Sequence, residues 1–381
     1  MVTKKIKILN IVTGGLRREG IASTQLEFVK NLKMDNLKMD FVAVHNNEDD
    51  IIEDFKKNNC DVEVLPDRHE HLFKYIISLY KKIKKEKYDI VHVHGSSSLM
   101  AIELLTAKVA GVKIRIAHSR NTKCLNNKAH KILKPLFNIS YTKALACGKD
   151  AGRWLFGKKD FTVVHNGKNF EKFKFSVQKR KELRKKLKLK DELCIGYVGN
   201  LNEQKNLLFL IDIFKEYQTK NDSSLLFLIG EGPSRKKIED YIKNQNLEDK
   251  IIFTGRISNV NEYLQAMDVM CLTSIYEGLP NVVLEWQISG LPSLVSNKIT
   301  DECKVTQLVE FLPIDSEEDK KIWAEKIINF EVTDERKREK YSSVAQLEMK
   351  KNSFDIKDST EFVRNIYFNE VKKIDIKRWG M

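Results

Sequence analysis

Proline is scarce in this chain, six residues in 381, which argues against long disordered linkers. Cysteine is equally rare, and Cys60, Cys124, Cys147, Cys194, Cys271 and Cys303 are scattered. None forms a C-x-x-C pair or stands beside a metal-type pair of histidines. That excludes a disulfide framework and a zinc ribbon, and most of the six read as buried thiols. The longest apolar runs fall far short of the ~20 residues a membrane span requires. No secretory signal pattern opens the sequence, so a reducing cytoplasm is the expected setting. Acidic residues are deficient only in the first half. Residues 1–170 carry 31 Lys and Arg against 18 Asp and Glu, whereas residues 171–381 carry 36 against 35. The formal net charge of +14 therefore sits almost wholly in the first half. That asymmetry suggests an anionic partner for that half (membrane surface, lipid pyrophosphate or nucleic acid), or a basic surface with no partner.

What is present is a rhythm of short strands and helices. Ile6–Val12, Phe41–His45, Val62–Leu65, Ile90–His94, Ile114–His118, Ala144–Cys147 and Thr162–Val164 read as strands. Between them Thr24–Leu32, Leu72–Lys84 and Leu99–Val109 have helical periodicity. This predicts a parallel, doubly wound sheet. A charged stretch, Lys168 to Lys190, interrupts it and reads as a linker opening an amphipathic helix. A second series follows: strands Leu193–Val198, Leu225–Ile229, Ile251–Phe253, Val269–Leu272 and Ser293–Ser296, with helices Asn206–Tyr217, Arg235–Asn244 and Val260–Ala266. The expected boundaries are 1–170 for a first Rossmann-like domain, 171–190 for the linker, 191–353 for a second, and 354–381 for a helical tail returning to the first. Two such domains imply a cleft between them.

The chemistry concentrates in turns after strands. Tyr276-Glu277-Gly278-Leu279-Pro280-Asn281-Val282-Val283-Leu284-Glu285 joins an apolar strand to a helix with proline near its first turn. The first amides of such a helix and its dipole favour an anion. Glu277 would stand at the mouth, and Glu285 one turn inside. The alternative is an ordinary strand-loop-helix with two solvated glutamates. Gly196-Tyr197-Val198-Gly199-Asn200 ends another strand, with Lys205 within reach of a diphosphate; a purely structural glycine and lysine is the competing reading. Gly230-Glu231-Gly232-Pro233 and Thr254-Gly255-Arg256-Ile257 are two more turns at the same expected sheet edge, where ligands gather. In the first half, Thr13-Gly14-Gly15-Leu16-Arg17-Arg18-Glu19-Gly20-Ile21 is a glycine-rich loop opening a helix without the G-x-G-x-x-G spacing. His118 ends a strand beside Ser119, Arg120 and Asn121.

These pieces resemble, in combination and in order, the GT-B-fold retaining glycosyltransferases of family 4, and within them the bacterial capsule and exopolysaccharide group. The resemblance runs from Ile6 to about Ile328. It rests most on Gln204-Lys205-Asn206, Gly230-Glu231-Gly232-Pro233 and Glu277-Gly278-Leu279-Pro280 with Glu285 and Gly290-Leu291-Pro292, supported by Ala146-Cys147-Gly148-Lys149 and Val164-His165-Asn166-Gly167. It implies two facing Rossmann-like domains and a nucleotide-sugar donor, UDP-linked, with Glu285 on the ribose. Glu277 would contact the donor sugar, the amides of Asn281 and Val282 the diphosphate, and Lys205 the leaving group. Ile257 would lie against the base, Gly20 under the diphosphate, and His118 against the transferred sugar. No metal or other cofactor is expected, and no D-x-D occurs. The acceptor would be a lipid-linked saccharide, with no nucleic acid involved. The protein would sit peripherally on the anionic inner face of the plasma membrane.

Four positions depart from that pattern: Asn200 and Arg120 replace an Arg and a His, and Glu19 and Ala22 replace a Gly and a Glu. Asn200 removes a phosphate-binding charge, which implies slower chemistry, compensation by Arg17, Arg18 or Arg256, or an inactive relative. An epimerase of the same fold and a non-catalytic partner subunit are the rival functions. For the membrane, Leu72, Tyr75, Ile76, Leu79 and Ile83 fall on one helix face edged by lysines. That stripe would meet either lipid or the sheet. Lys123, Lys128, Lys131 and Lys134 form a second basic cluster.

Overall fold

A computed structural model of the chain describes residues 5–18, 20–124, 126–329 and 334–379. The chain divides into two compact units, Met1–Gly167 with Ile356–Met381, and Lys168–Asp355. The first holds seven strands: β1 (Ile6–Val12), β2 (Leu37–Ala43), β3 (Asp61–Val64), β4 (Ile90–Gly95), β5 (Ile114–Ser119), β6 (Lys143–Ala146) and β7 (Thr162–Val163). Their order is β3-β2-β1-β4-β5-β6-β7, with every pairing parallel. The second holds β8 (Leu193–Val198), β9 (Ser224–Ile229), β10 (Ile251–Gly255), β11 (Val269–Leu272), β12 (Ser293–Ser296) and β13 (Val309–Leu312). Their order, β10-β9-β8-β11-β12-β13, is again all parallel. In both sheets the order reverses beside the first strand, between β1 and β4 and between β8 and β11. A crevice opens at such a reversal, outside the carboxyl ends of the strands.

Strands buried on both faces read as unbroken apolar runs, and β8 and β11 do so, whereas the buried β1 and β4 carry polar residues within theirs. In the first unit one face of the sheet packs Ile6, Ile8, Ile90, Ile114 and Ile116 against the helix Gly20–Asn31 and against Val363, Ile366 and Tyr367 of the helix Ile356–Trp379. The other face packs Leu9, Ile11, Val91 and Val93 against Tyr75, Leu79 and Ile83 of the helix Leu72–Glu86. Tyr75, Leu79 and Ile83 of that stripe are thus core, with Ile76 packed against them, whereas Leu72 is exposed. The strand β13 and the helices Glu317–Asn329 and Glu335–Lys351 complete the second unit.

The charged stretch 168–190 is packed into the second unit as the helices Phe170–Phe173 and Val177–Lys186. Its charges have a specific task. The helix Val260–Ala266 ends with carbonyls that no continuing turn satisfies. Arg180 donates to the carbonyls of Gln265, Ala266 and Met267 at 3.0–3.1 Å and pairs with Asp268 at 2.6 Å. Arg338, from the helix Glu335–Lys351, donates to Leu264 and Met267 at 2.7 Å. Buried arginines normally destabilise a fold; these meet the negative end of a helix dipole and satisfy its last acceptors.

Candidate functional site

In the second unit, four strand ends form one cross-linked platform. The Gly199 amide donates to Ile229 O at 3.0 Å, Leu201 to Glu231 O at 2.9 Å, and Ser234 to Leu201 O at 2.8 Å. These bonds tie the turns after β8 and β9 together. The approach demands glycine: a Cβ on Gly230, whose φ is +142°, would fall 2.0 Å from Gly199 O. The turn after β10 joins through Gly230 N to Gly255 O at 3.1 Å, and the turn after β11 through Ile275 N to Gln204 O at 2.8 Å. Asn200 is part of the first turn, and Tyr197 Oη donates to its carbonyl at 2.9 Å. Ile257 follows β10 and is partly exposed.

Lys205 ends a single 3-10 turn, Glu203–Lys205, and its ammonium contacts the Glu277 carboxylate directly. Glu277 also accepts from Ser274 Oγ at 2.9 Å and Gln204 Nε2 at 3.4 Å. Both charged side chains are largely buried, so each depends on the other for compensation. The helix Asn281–Ile288 begins three residues beyond Gly278, with Pro280 at the cap position and no side-chain cap bond. Asn281 and Val282 therefore open an uncapped helix start, next to Glu277. Glu285 lies one turn in, and its Oε1 is 2.7 Å from Lys168 Nζ. Sequence reasoning missed Lys168, although it directly follows the quoted Val164–Gly167. The two glutamates are therefore held by two different lysines rather than solvated.

In the first unit, the carboxyl ends of β1, β4 and β5 turn polar on one face. The register sets Asn10 beside His92, Val12 beside His94, and His94 beside His118. On the same face, Ile8, Ile90 and Ile116 lie one step earlier. Strand alternation places both histidines of His92-Val93-His94 on that face, a signal in the sequence that went unused. His118 Nδ1 is 3.1 Å from His92 Nε2, and His92 Nδ1 is 2.8 Å from Tyr367 Oη. Arg120 reaches His94 Nδ1 at 3.0 Å and donates to Asn166 Oδ1 at 2.7 Å. Burial, then the Arg120 cation, pushes the imidazolium equilibria of His92 and His118 well below the ordinary histidine range. His94 is lowered by burial and then by His92 and Arg120. Burial lowers Arg120 itself to about 10, still charged at neutral pH. His118, Arg120 and Asn166 line a pocket with Thr24, His165 and Tyr367.

Gly20 opens the helix Gly20–Asn31 at φ +51° with open space at its Cβ; Glu19 lies outside the described residues. Arg18 is committed to Asp50 and Asp54, which removes it from the candidates for a substitute phosphate cation. Five cysteines are buried and all six are free thiols. Burial above all pushes Cys60, Cys194 and Cys303 up to about 12.

Two parallel α/β sheets of like order, in two units of one chain, define the GT-B glycosyltransferase fold. The structure of Anabaena Alr3699/HepE in complex with UDP and glucose matches with a TM-score of 0.78, at 15% identity over 96% of this chain and all of that one. Residues 178–348 match the family described as glycosyl transferases group 1. The chain is 27% identical to EpsF of Bacillus subtilis (strain 168), a provisionally named glycosyltransferase, over 96% of this chain and 97% of the relative. It is 31% identical to the Escherichia coli UDP-Gal:alpha-D-GlcNAc-diphosphoundecaprenol alpha-1,3-galactosyltransferase over 64% of this chain and 68% of that enzyme. The chain belongs to the group 1 glycosyl transferases and is a glycosyltransferase.

Proposed function

We propose that this enzyme is a family 4 glycosyltransferase moving a sugar from a UDP-linked donor to a saccharide carried on a lipid pyrophosphate, with retention of configuration, in the synthesis of a cell-surface polysaccharide. The observation that carries the reading is the turn after β11, at the reversal of strand order. It places a buried Lys205–Glu277 pair beside an uncapped helix start. The relatives add chemical class: the name of the Escherichia coli enzyme specifies UDP-galactose and a diphosphoundecaprenol-linked acceptor, and HepE was solved with UDP and glucose.

In this reading the amides of Asn281 and Val282 receive the diphosphate, and the helix dipole favours its charge. Lys205 neutralises the leaving diphosphate. Glu277, oriented by Ser274 and Gln204, accepts hydrogen bonds from the donor sugar. Glu285 keeps one oxygen on Lys168 and offers the other to the ribose hydroxyls. Ile257 supports the base, Gly20 approaches the diphosphate, and His118 contacts the transferred sugar. Positioning and charge stabilisation supply the catalysis, with no resident metal. The Lys205–Glu277 pair has a consequence for the chemistry. A diphosphate competes with Glu277 for the ammonium, so donor binding and reorientation of Glu277 are coupled.

The enzyme would work at the cytoplasmic face of the membrane, docked through its first unit. Among the described residues no helix is long and apolar enough to cross a membrane. With Tyr75, Leu79 and Ile83 in the core, the lipid-facing groups on the helix Leu72–Glu86 would be Phe73, 81% exposed, and Ile77, 53% exposed. Lys74, Lys81, Lys84 and Lys85 are exposed on the same helix. The helix Asn127–Asn138 repeats the pattern, with Ile132 75% exposed and Leu136 45% exposed near the exposed Lys128 and Lys131. Lys134 is withdrawn from that cluster by its contact with Leu155 O.

The deciding experiment incubates the enzyme with a panel of UDP-sugars, with and without undecaprenyl-diphosphate saccharides. Lipid-dependent release of UDP and an α-linked product from an α-linked donor are expected. Conversion of a UDP-sugar without acceptor, or binding without any turnover across the panel, would refute the reading.

A further inference from the structure

The hydrogen bonds around His118 have a direction that can be derived. Tyr367, on the helix Ile356–Trp379, is 1% exposed. Its hydroxyl has a single hydrogen-bond neighbour among the described residues, His92 Nδ1 at 2.8 Å. A buried hydroxyl with one polar neighbour donates to it, because an unmatched buried donor is costly. His92 Nδ1 is then an acceptor, and neutral imidazole must carry its proton on Nε2. That N–H points to His118 Nδ1, 3.1 Å away, which accepts. His118 is left with its proton on Nε2. This nitrogen is buried and has no partner among the described residues. The neighbouring histidine obeys the same logic. Arg120 can only donate, so His94 Nδ1 accepts, and His94 Nε2–H faces Asn10 Oδ1 at 3.3 Å.

We infer that Tyr367 is a positioning residue that sets the tautomer of His118 through His92, so that His118 presents a hydrogen-bond donor, and not a base, to the ligand in its pocket. The low imidazolium affinity that burial imposes on all three histidines keeps the relay neutral at physiological pH. The three rings also bring ligand-type nitrogens within 4.8 Å of one another, as a metal site would. Five of their six nitrogens are engaged in the bonds above, and the Arg120 cation adjoins His94, which opposes a second cation. The matching ligand group is an oxygen that accepts this hydrogen bond, a hydroxyl oxygen included. On the function proposed above, from which the ligand's identity follows, that is an oxygen of the transferred sugar.

The test is nitrogen-15 NMR of the intact protein labelled on histidine, with two-bond proton–nitrogen correlations assigned by His92→Asn and His118→Asn. The wild type is expected to show His118 protonated on Nε2. Tyr367→Phe keeps the ring against His92 and removes only the hydroxyl; His118 should then populate both tautomers. In a transfer assay the same variant should lower kcat about fivefold, the worth of one neutral hydrogen bond, with donor KM unchanged. His118 protonated on Nδ1 in the wild type, an unaltered tautomer in Tyr367→Phe, or stoichiometric Zn²⁺ held by the three rings would each overturn the inference. The tautomer is read without substrate, so its outcome stands apart from the donor and acceptor assignments.

Discussion

At the carboxyl edge of the first sheet, the strands themselves carry the polar groups: Asn10 on β1, His92 and His94 on β4, His118 on β5. At the same edge of the second sheet the strands stay apolar, and glycine turns follow them. There the charged groups, Lys205, Glu277 and Glu285, stand on turns and a helix beyond the sheet. One strand order thus presents two kinds of chemistry. Tightly joined glycine turns frame a helix start with no side-chain cap bond, which suits an anion. Ring nitrogens fixed between strands give donors in a fixed direction, which suits a neutral hydroxyl-rich group. Only the second arrangement depends on titratable groups held neutral by burial.

That difference predicts unequal acid stability. The ordinary histidine pKa is about 6.5. In the folded first unit the three histidines titrate well below it, with Arg120 and Tyr367 as their other ionisable neighbours. Above about pH 6.5 they contribute no pH dependence, because both states are neutral. As pH falls below that, the unfolded state binds protons that the folded one refuses. Stability then drops by about 1.4 kcal/mol per pH unit for each histidine, about 4 for the three. Hydrogen-exchange protection factors at pH 7.5 and 5.5 should show the first unit losing protection and the second holding; equal losses would erase the contrast.

The glycine platform can be broken directly. Gly230→Ala puts a Cβ onto Gly199 O at an unfavourable φ, and should cost the second unit about 3 kcal/mol. A variant melting like the wild type would show the two turns to be separable. Glu277→Ala should reduce turnover roughly 100-fold, about 2.7 kcal/mol, and Lys205→Ala should cost more than Asn200→Ala. Near-normal transfer by Lys205→Ala would reassign the phosphate cation, with Arg17 or Arg256 next in line. Glu285→Ala should weaken UDP binding by about 1–2 kcal/mol, read by calorimetry. Unchanged affinity would move the ribose elsewhere.

The smallest effect concerns the lysine-rich helices. Each exposed lysine contributes about 1 kcal/mol near an anionic bilayer, screened by salt. Sedimentation with anionic vesicles should fall from low to high salt. It should fall again when Lys74, Lys81, Lys84 and Lys85 are neutralised, and separately for Lys128 and Lys131. Equal binding to neutral and anionic vesicles would leave the basic half with another partner.

Local pattern was enough for the alternating strands and helices, because parallel strands buried on both faces spell themselves as apolar runs bounded by turns. β1, β8, β11 and β12 fall where their runs predict. The sixth strand of the second sheet did not stand out: Val309–Leu312 is four residues with a glutamate inside. Glu317–Asn329 and Glu335–Lys351 were likewise illegible, since their buried faces include Asp319 and Arg338. The turn residues Glu277, Lys205 and Glu285 could be singled out from spacing and order, but their partners could not. Glu277 meets Lys205 across 72 positions, and Glu285 meets Lys168 across 117.

By itself the sequence determined the two βα series, the glycine-rich strand ends and the uneven charge, all properties of neighbouring residues. Only the tertiary structure decided which charges are buried and which nitrogens carry protons. Arg180 and Arg338 look solvated in the sequence and are in fact helix caps for Val260–Ala266. His118 looks like a lone strand-end histidine and is in fact the end of a relay from Tyr367. The physical reason is the same in both: the cost of burying a polar group is set by the partner it finds, and here that partner arrives from a distant segment of the chain.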